Sequence, residues 1–173
     1  MSLHPAIVHF PIALSVASFI FDLIAVVTKD DSFRKAGLYC LLMALFGAGA
    51  AYWTGVQAAE ASRHIPGIAD TLKQHEMAGI FTLASIGVLL IARLLVESRS
   101  QYQRMGRVVY LLLSLAAVVN VLRTGALGGD LVQKFGAGVE PVMRRLEMKE
   151  QESGATADVP VGIQTERTRS DNP

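Results

Sequence analysis

The first apolar segment of the chain, residues 5–28, reads PAIVHFPIALSVASFIFDLIAVVT and contains one carboxylate, Asp22, and no lysine or arginine. The hydrocarbon core of a bilayer is about 30 Å thick, which about 20 helical residues cross at 1.5 Å each. Three more apolar segments of similar length follow, at about residues 35–59, 75–96 and 105–127. All four are rich in Leu and Ala and far longer than the ~10 residues that a barrel strand needs. The sequence therefore predicts four transmembrane helices.

The composition points to the same class and excludes others. The 173 residues are 51% apolar and only 18% charged, with a formal net charge of +1, whereas soluble domains are about 25% charged. A nucleic-acid-binding protein is excluded because no long basic run exists to neutralise a phosphate backbone. Cys40 is the only cysteine, which excludes an intrachain disulfide and a cage of thiolates around a metal.

Short polar connections separate the apolar segments, so consecutive helices are expected to be antiparallel neighbours. The predicted fold class is all-α: an integral membrane protein with an antiparallel up-down bundle of four transmembrane helices, formed by residues 1–139. Residues 140–152 predict a short interfacial helix opened by Pro141. Residues 153–173 hold too few apolar side chains to offset the entropy of ordering and predict a disordered polar tail.

The basic residues of the loops predict an orientation. The first apolar segment is longer than the 7–15 apolar residues of a signal-peptide core and no lysine or arginine precedes it, so it should remain in the mature protein. The first and third loops carry more basic residues than the second: Lys29, Arg34 and Lys35, then Arg99, Arg104 and Arg107, against Arg63 and Lys73. The positive-inside rule therefore places both termini outside the cytoplasm. Three basic residues in the tail, Arg144, Arg145 and Lys149, act against this orientation.

The polar residues of the apolar segments gather at one end of the expected bundle. All four histidines fall there: His4, His9, His64 and His75. Asn120, Arg123 and Thr124 follow at the i, i+3, i+4 spacing that places them on one helical face. Ionisable groups in a bilayer are costly unless paired or facing a polar cavity, so the group is a candidate site. At the opposite end, Asp22 and Arg93 could form a buried pair.

One hypothesis for the histidines is a b-type haem. If the first helix begins at Pro5, His9 lies about one turn inside it, at a depth similar to that of His75 in the third helix. Two neutral imidazoles on different helices can bind haem iron from opposite faces. Ala13 and Gly79 would leave space for a porphyrin. Asn120 and Arg123 complete the predicted cofactor site, with Arg123 placed to pair with a propionate.

Three alternatives compete with the haem hypothesis. A divalent metal could bind to three or four members of the set His4, His9, His64, His75 and Glu76. The small residues Gly47, Ala51 and Gly55 could let an accessory subunit without a cofactor pack against another membrane complex or form an oligomer. The histidines could also be ordinary solvated or capping residues near the headgroups. No Ser or Cys lies beside a plausible base, so no enzymatic activity beyond electron transfer is predicted.

A family resemblance adds a redox setting. The opening His4-Pro5-x-x-Val8-His9-Phe10-Pro11-Ile12-Ala13-Leu14, together with Gly128-Gly129-x-Leu131-Val132 and Gly136-x-Gly138-Val139, resembles the bacterial membrane family known as domain of unknown function 2231. The resemblance covers Leu3 to about Val139. It implies a small four-helix protein of the bacterial inner membrane, sometimes fused to Rieske-type iron–sulfur domains.

In that setting the chain would lie in the lipid bilayer, and its partner would be a periplasmic or membrane redox protein, or a quinone. Similar sequences are expected to have a Tyr and a His in the glycine-rich ending, where this chain has Gln133 and Phe135. The departure leaves two readings: an altered site, or one in which His9 and His75 are the whole ligand pair.

Overall fold

The computed structural model describes residues 4–98, 103–139, 145 and 148–149, and these contain helices and no strand. The helices are α1 (His4–Ile7), α2 (His9–Thr28), α3 (Asp31–Ser62), α4 (Ala69–Ser98) and α5 (Gln103–Phe135). With α1 and α2 counted as one span, four helices are long and apolar enough to cross a membrane. The predicted number of spans and the all-α class are therefore confirmed.

The first span is helical from His4 but is interrupted at Val8. Pro11 explains the interruption, because proline has no N–H to donate to the carbonyl of Ile7 and its ring collides with that carbonyl in a regular helix. The expected start near Pro5 is thus found, with a break one turn before Pro11. Val8 keeps helical backbone angles, with φ −62° and ψ −25°, and its N–H donates to the carbonyl of His4 at 3.1 Å, so α1 and α2 continue as one span. Helix α1 packs against α3.

The first connection is only two residues long. Lys29 adopts a left-handed conformation with φ 57° and its N–H donates to the carbonyl of Ala25 at 2.9 Å, which ends α2. Asp30 then caps α3, since its carboxylate accepts a hydrogen bond from the N–H of Ser32 at 2.7 Å. The hydrogen bond also lowers the pKa of the exposed Asp30 carboxyl. A connection this short makes α2 and α3 an antiparallel hairpin.

The spans form a ring in which α2 packs on α3 and α5, and α4 packs on α3 and α5. The pair α2 and α4 therefore stands on a diagonal of the bundle. The core of the bundle contains buried side chains from α3, α4 and α5: Leu41, Ala44, Ala48, Ile86, Leu89, Tyr110, Ala117 and Val121. Large apolar side chains point outward, and Phe46 and Trp53 are each 72% exposed. Such an arrangement suits a bundle surrounded by lipid tails.

Helix α2 has a polar inner face. Its buried residues are Pro11, Ser15, Ser18 and Asp22. In a bilayer, polar side chains turn toward the bundle interior because lipid offers them no partners. The most apolar span of the chain therefore places its polar groups at the bundle centre.

The small residues of α3 pack inside the chain. A Cβ at Gly47 would lie 3.2 Å from Cδ of Pro11, and Ala51 is 8% exposed. Small residues at such positions allow helix backbones to approach closely. These small residues join α3 to α1 and α2. They are therefore not free to contact another membrane complex.

Helix α5 extends further than the composition suggests. It continues through Gly128 and Gly129 and ends after Phe135, where Gly136 has φ +67° and donates its N–H to the carbonyl of Val132 at 3.0 Å. A glycine in the left-handed region is a common end to a helix. The first half of the glycine-rich ending, with Gly128 and Gly129, is thus part of the last helix, and the second half, from Gly136 to Val139, follows it.

The chain divides into two compact units, Met1–Val139 and Glu140–Pro173, and all five helices belong to the first. Arg145, Met148 and Lys149 in the second unit are helical. The rest of the expected interfacial helix at 140–152, and the whole tail at 153–173, lie outside the described residues. Both stay predictions.

Candidate functional site

Two histidines meet at one end of the bundle. The ring centres of His4 and His75 are 6.1 Å apart and the ring planes are inclined by 77°. His4 lies on α1 and His75 near the start of α4, and both side chains are half-buried. The expected convergence of imidazoles at this end is therefore found, but His4 rather than His9 faces His75.

Hydrogen bonds fix the tautomer of both rings. Nδ1 of His75 is 3.2 Å from the carbonyl oxygen of Thr124, which can only accept. Nδ1 of His4 is 3.2 Å from Oγ1 of Thr54, whose hydroxyl already donates to the carbonyl of Ala50 at 2.9 Å. Both Nδ1 atoms must therefore carry the hydrogen. In the neutral rings this leaves a lone pair on each Nε2, the form in which imidazole binds a metal.

Glycines form the walls next to both rings. A Cβ at Gly55 on α3 would lie 2.9 Å from Cε1 of His4, and a Cβ at Gly128 on α5 would lie 3.1 Å from Cε1 of His75. These distances are shorter than ordinary van der Waals contacts. Each ring therefore packs directly against a helix backbone. A residue larger than glycine at either position would displace the ring.

A network of hydroxyl and amide groups continues from His75 into the bundle. The Oγ1 atoms of Thr82 and Thr124 are 2.9 Å apart, and the amide of Asn120 donates to Oγ1 of Thr82 at 3.1 Å. The hydroxyl of Thr124 also donates to the carbonyl of Asn120 at 2.9 Å. Asn120 and Thr124 thus lie near His75 as expected. Arg123 was predicted to belong to the same site. It is instead exposed, on the outer side of α5.

The other predicted ligands do not join this site. His9 is exposed, and its Nδ1 donates to the carbonyl of Pro5 at 2.7 Å. His64 is exposed in the connection between α3 and α4. Glu76 forms an ion pair with Arg63 at 3.7 Å. Within the part of the chain that the structure describes, no group of three or more His, Cys, Asp or Glu could hold a metal ion.

The exchange of His9 for His4 follows from helix geometry. At about 100° per residue, the helix turns by about 500° from His4 to His9, so the two side chains point about 140° apart. One of them can therefore face the bundle while the other is exposed: His4 reaches Thr54 on α3, and His9 is exposed. The sequence did not show which of the two would face inward.

A second polar cluster occupies the opposite end. The predicted pair is confirmed: Nη1 of Arg93 contacts both carboxylate oxygens of Asp22, and the two side chains are only 4% and 5% exposed. The hydroxyl of Tyr110 donates to Asp22 at 2.8 Å and accepts from Arg93 at 3.2 Å. A further hydrogen bond joins Arg93 to the backbone carbonyl of Arg34. Tyr110 was not predicted, since a tyrosine near a span end usually indicates an interfacial belt.

The cluster joins all four spans. Arg93 extends from α4 to Asp22 on α2, to the carbonyl of Arg34 on α3 and to Tyr110 on α5. Its guanidinium carbon also lies 5.5 Å from the centre of the Tyr110 ring. One charged side chain with partners on three other helices fixes their positions relative to each other. We therefore regard this end as the structural clamp and the histidine end as the candidate binding site.

Comparison with known proteins identifies the family and nothing finer. Neither a curated protein nor a solved structure matches the chain. Residues 1–141 match the family described as "Predicted membrane protein (DUF2231)". This range includes both polar clusters and all of the spans. Because the match covers most of the 173 residues, and the chain has four helices able to cross a bilayer, the chain belongs to the DUF2231 family of integral membrane proteins.

Proposed function

We propose that the protein binds a b-type haem between His4 and His75 and acts as a one-electron carrier in the membrane. The observation that carries the proposal is the separation of the two rings. Two neutral imidazoles that approach each other from separate helices would hold a haem iron between them. The ring centres of His4 and His75 are 6.1 Å apart.

The residues present fit this group in their chemistry. Both Nδ1 atoms donate to oxygen atoms of the protein, which orients the rings and leaves each Nε2 as the ligand atom. Partners of this kind are typical of metal-binding histidines and strengthen them as ligands. Gly55 and Gly128 place no side chain against the two rings. A bound haem would supply the one-electron chemistry, and the chain's own residues would hold it and exclude bulk water.

Two imidazoles fit haem iron better than a lone divalent metal. Zinc and copper sites usually need three or four protein ligands, and the histidine end brings two. We place the histidine end on the periplasmic side of the bacterial inner membrane, on the strength of the loop charges. A periplasmic or membrane redox protein, or a quinone, would then exchange electrons with the haem.

A visible absorption spectrum of the detergent-purified protein tests the proposal. We expect Soret and alpha bands in the wild type and their loss in His4→Ala and in His75→Ala. His9→Ala and His64→Ala are matched controls, because both side chains are exposed, and both variants should keep the bands. A colourless wild type produced with ample haem, or bands that persist without His4 and His75, would refute the proposal.

A further inference from the structure

A groove of about 260 Å³ lies between the end of α4 and the start of α5. Its walls include Ala92, Val96, Gly106, Val109, Tyr110 and Leu113. From Gly106 to Leu113 the groove follows α5 for about 10 Å, at 1.5 Å per residue. Pockets that enclose a whole drug-sized ligand measure ~300–1,000 Å³. The smaller volume and the elongated, apolar walls suit one slender hydrocarbon chain.

The two helices approach each other closely at one end of the groove and leave it open beyond. A Cβ at Gly106 would lie 3.1 Å from Cγ2 of Val96, so the backbone of α5 packs directly against α4 at this level. Val109 and Leu113, about one and two turns further along α5, are each nearly half exposed. A hydrocarbon chain that surrounds the bundle can therefore enter the groove from the side.

Positive charge predominates where the chain passes from α4 to α5. Residues 97–107 contain three arginines and a single acidic residue, Glu97, and the carboxylate of Glu97 lies 3.3 Å from Nε of Arg93. Arg107 is exposed and directly follows Gly106, at the outer end of the groove. Basic sites beside grooves between transmembrane helices attract the phosphate groups of anionic lipids, and a guanidinium binds phosphate by charge-assisted hydrogen bonds.

We propose that the groove binds one acyl chain of an anionic phospholipid from the surrounding bilayer, with the headgroup phosphate beside Arg107. The acyl chain lies along α5 and covers Tyr110, whose hydroxyl donates to Asp22 at 2.8 Å. The bound lipid therefore excludes water from the Asp22–Arg93–Tyr110 cluster and stabilises the folded bundle, because it binds the folded state alone. The groove and the histidines are at opposite ends of the bundle, so the proposal does not depend on haem.

Native mass spectrometry of the full chain in a mild detergent tests the choice of headgroup. Dioleoyl phosphatidylglycerol and dioleoyl phosphatidylcholine are added separately, since they share their acyl chains and only the first has a net negative charge. We expect the wild type to bind phosphatidylglycerol roughly fivefold more tightly, the effect of about one basic side chain near an anionic lipid. Arg107→Gln should remove most of this preference. Lys35→Gln should keep it, because Lys35 is an exposed cation on α3, at the same end of the bundle but outside the groove.

Variants that fill the groove test the place of the acyl chain. In an apolar solvent such a chain is held by packing contacts, which a larger side chain in the groove would displace. Val109→Trp and Ala92→Leu, from α5 and α4, should therefore each lose the preference for phosphatidylglycerol. Val108→Trp is the matched control for the first, since Val108 is exposed and lies outside the groove, and should bind both lipids like the wild type.

The melting temperature gives a second measurement. Phosphatidylglycerol should raise it more than phosphatidylcholine does in the wild type, and equally little in Val109→Trp. Equal binding of the two lipids by the wild type, a preference that survives both groove-filling variants, or one that Lys35→Gln abolishes and Arg107→Gln retains would overturn the proposal. A wild-type dimer that Val109→Trp converts to a monomer would assign the groove to a second copy of the chain and overturn it equally. Haem bands play no part in these outcomes, so the two proposals fail separately.

Discussion

Replacement of Arg93 by methionine should be among the most damaging single changes in the bundle. Arg93 and Asp22 are both buried and in contact. Methionine keeps much of the arginine stem but leaves the Asp22 carboxylate with the Tyr110 hydroxyl as its remaining partner in the cluster. Removal of one member of a buried ion pair typically costs about 3–5 kcal/mol of unfolding free energy. This loss corresponds to a decrease of roughly two to three and a half decades in the folding equilibrium constant.

The reasoning predicts a strong coupling between the two residues. Asp22→Leu alone leaves the guanidinium with Glu97, whose carboxylate lies 3.3 Å from Nε, as its remaining counter-ion, and should also be destabilising because the buried partner is lost. The double variant Arg93→Met/Asp22→Leu removes both charges, so we expect it to be more stable than either single variant. Arg34→Met is a control, because the ion pair of Arg34 with Asp31 is exposed and such pairs contribute about 0–1 kcal/mol.

Unfolding in mixed micelles of SDS and a mild detergent, followed by circular dichroism, measures these free energies. The clamp hypothesis requires the effects of the single changes to be far from additive. It is refuted if the double variant loses the sum of the two single losses within about 0.5 kcal/mol. It is equally refuted if Arg93→Met loses no more stability than Arg34→Met.

Two further predictions concern the glycine wall beside His4 and the cap of α3. Gly55→Ala should displace the His4 ring, because the new Cβ would lie 2.9 Å from Cε1, and should weaken any haem bands, whereas Gly49→Ala meets nothing within 4 Å and should stabilise α3 by up to ~1 kcal/mol. The pKa of Asp30 is lowered by its hydrogen bond to the N–H of Ser32, so its cap contributes fully above the ordinary value of 3.8 and is lost as the pH falls further. Relative to Asp30→Asn, the wild type should therefore lose thermal stability in a melting series from pH 6 to pH 3; a constant difference between the two proteins would contradict this assignment.

The sequence by itself determined the number of spans, the helical class and the end at which the histidines gather. These properties depend on segment length, hydropathy and alternation of direction, which are local or follow from short loops. The pair Asp22 and Arg93 was also predictable, because two lone charges at the same depth in lipid have few partners except each other. The helix ends were predicted less well. Polar turns such as the one capped by Asp30 extend a helix beyond its apolar stretch.

The tertiary structure alone decided which histidines meet and which surfaces remain free. The sequence favoured His9 as the partner of His75, and only the packing of α1 on α3 shows that His4 is the histidine that faces inward. The inclusion of Tyr110 in the clamp likewise depends on how α5 packs against its neighbours. The small residues of α3 could have faced lipid or protein, and the structure places them inside the chain. Hydropathy measures only how well a segment dissolves in lipid, whereas these contacts depend on helix rotation and on side-chain fit between residues far apart in the chain.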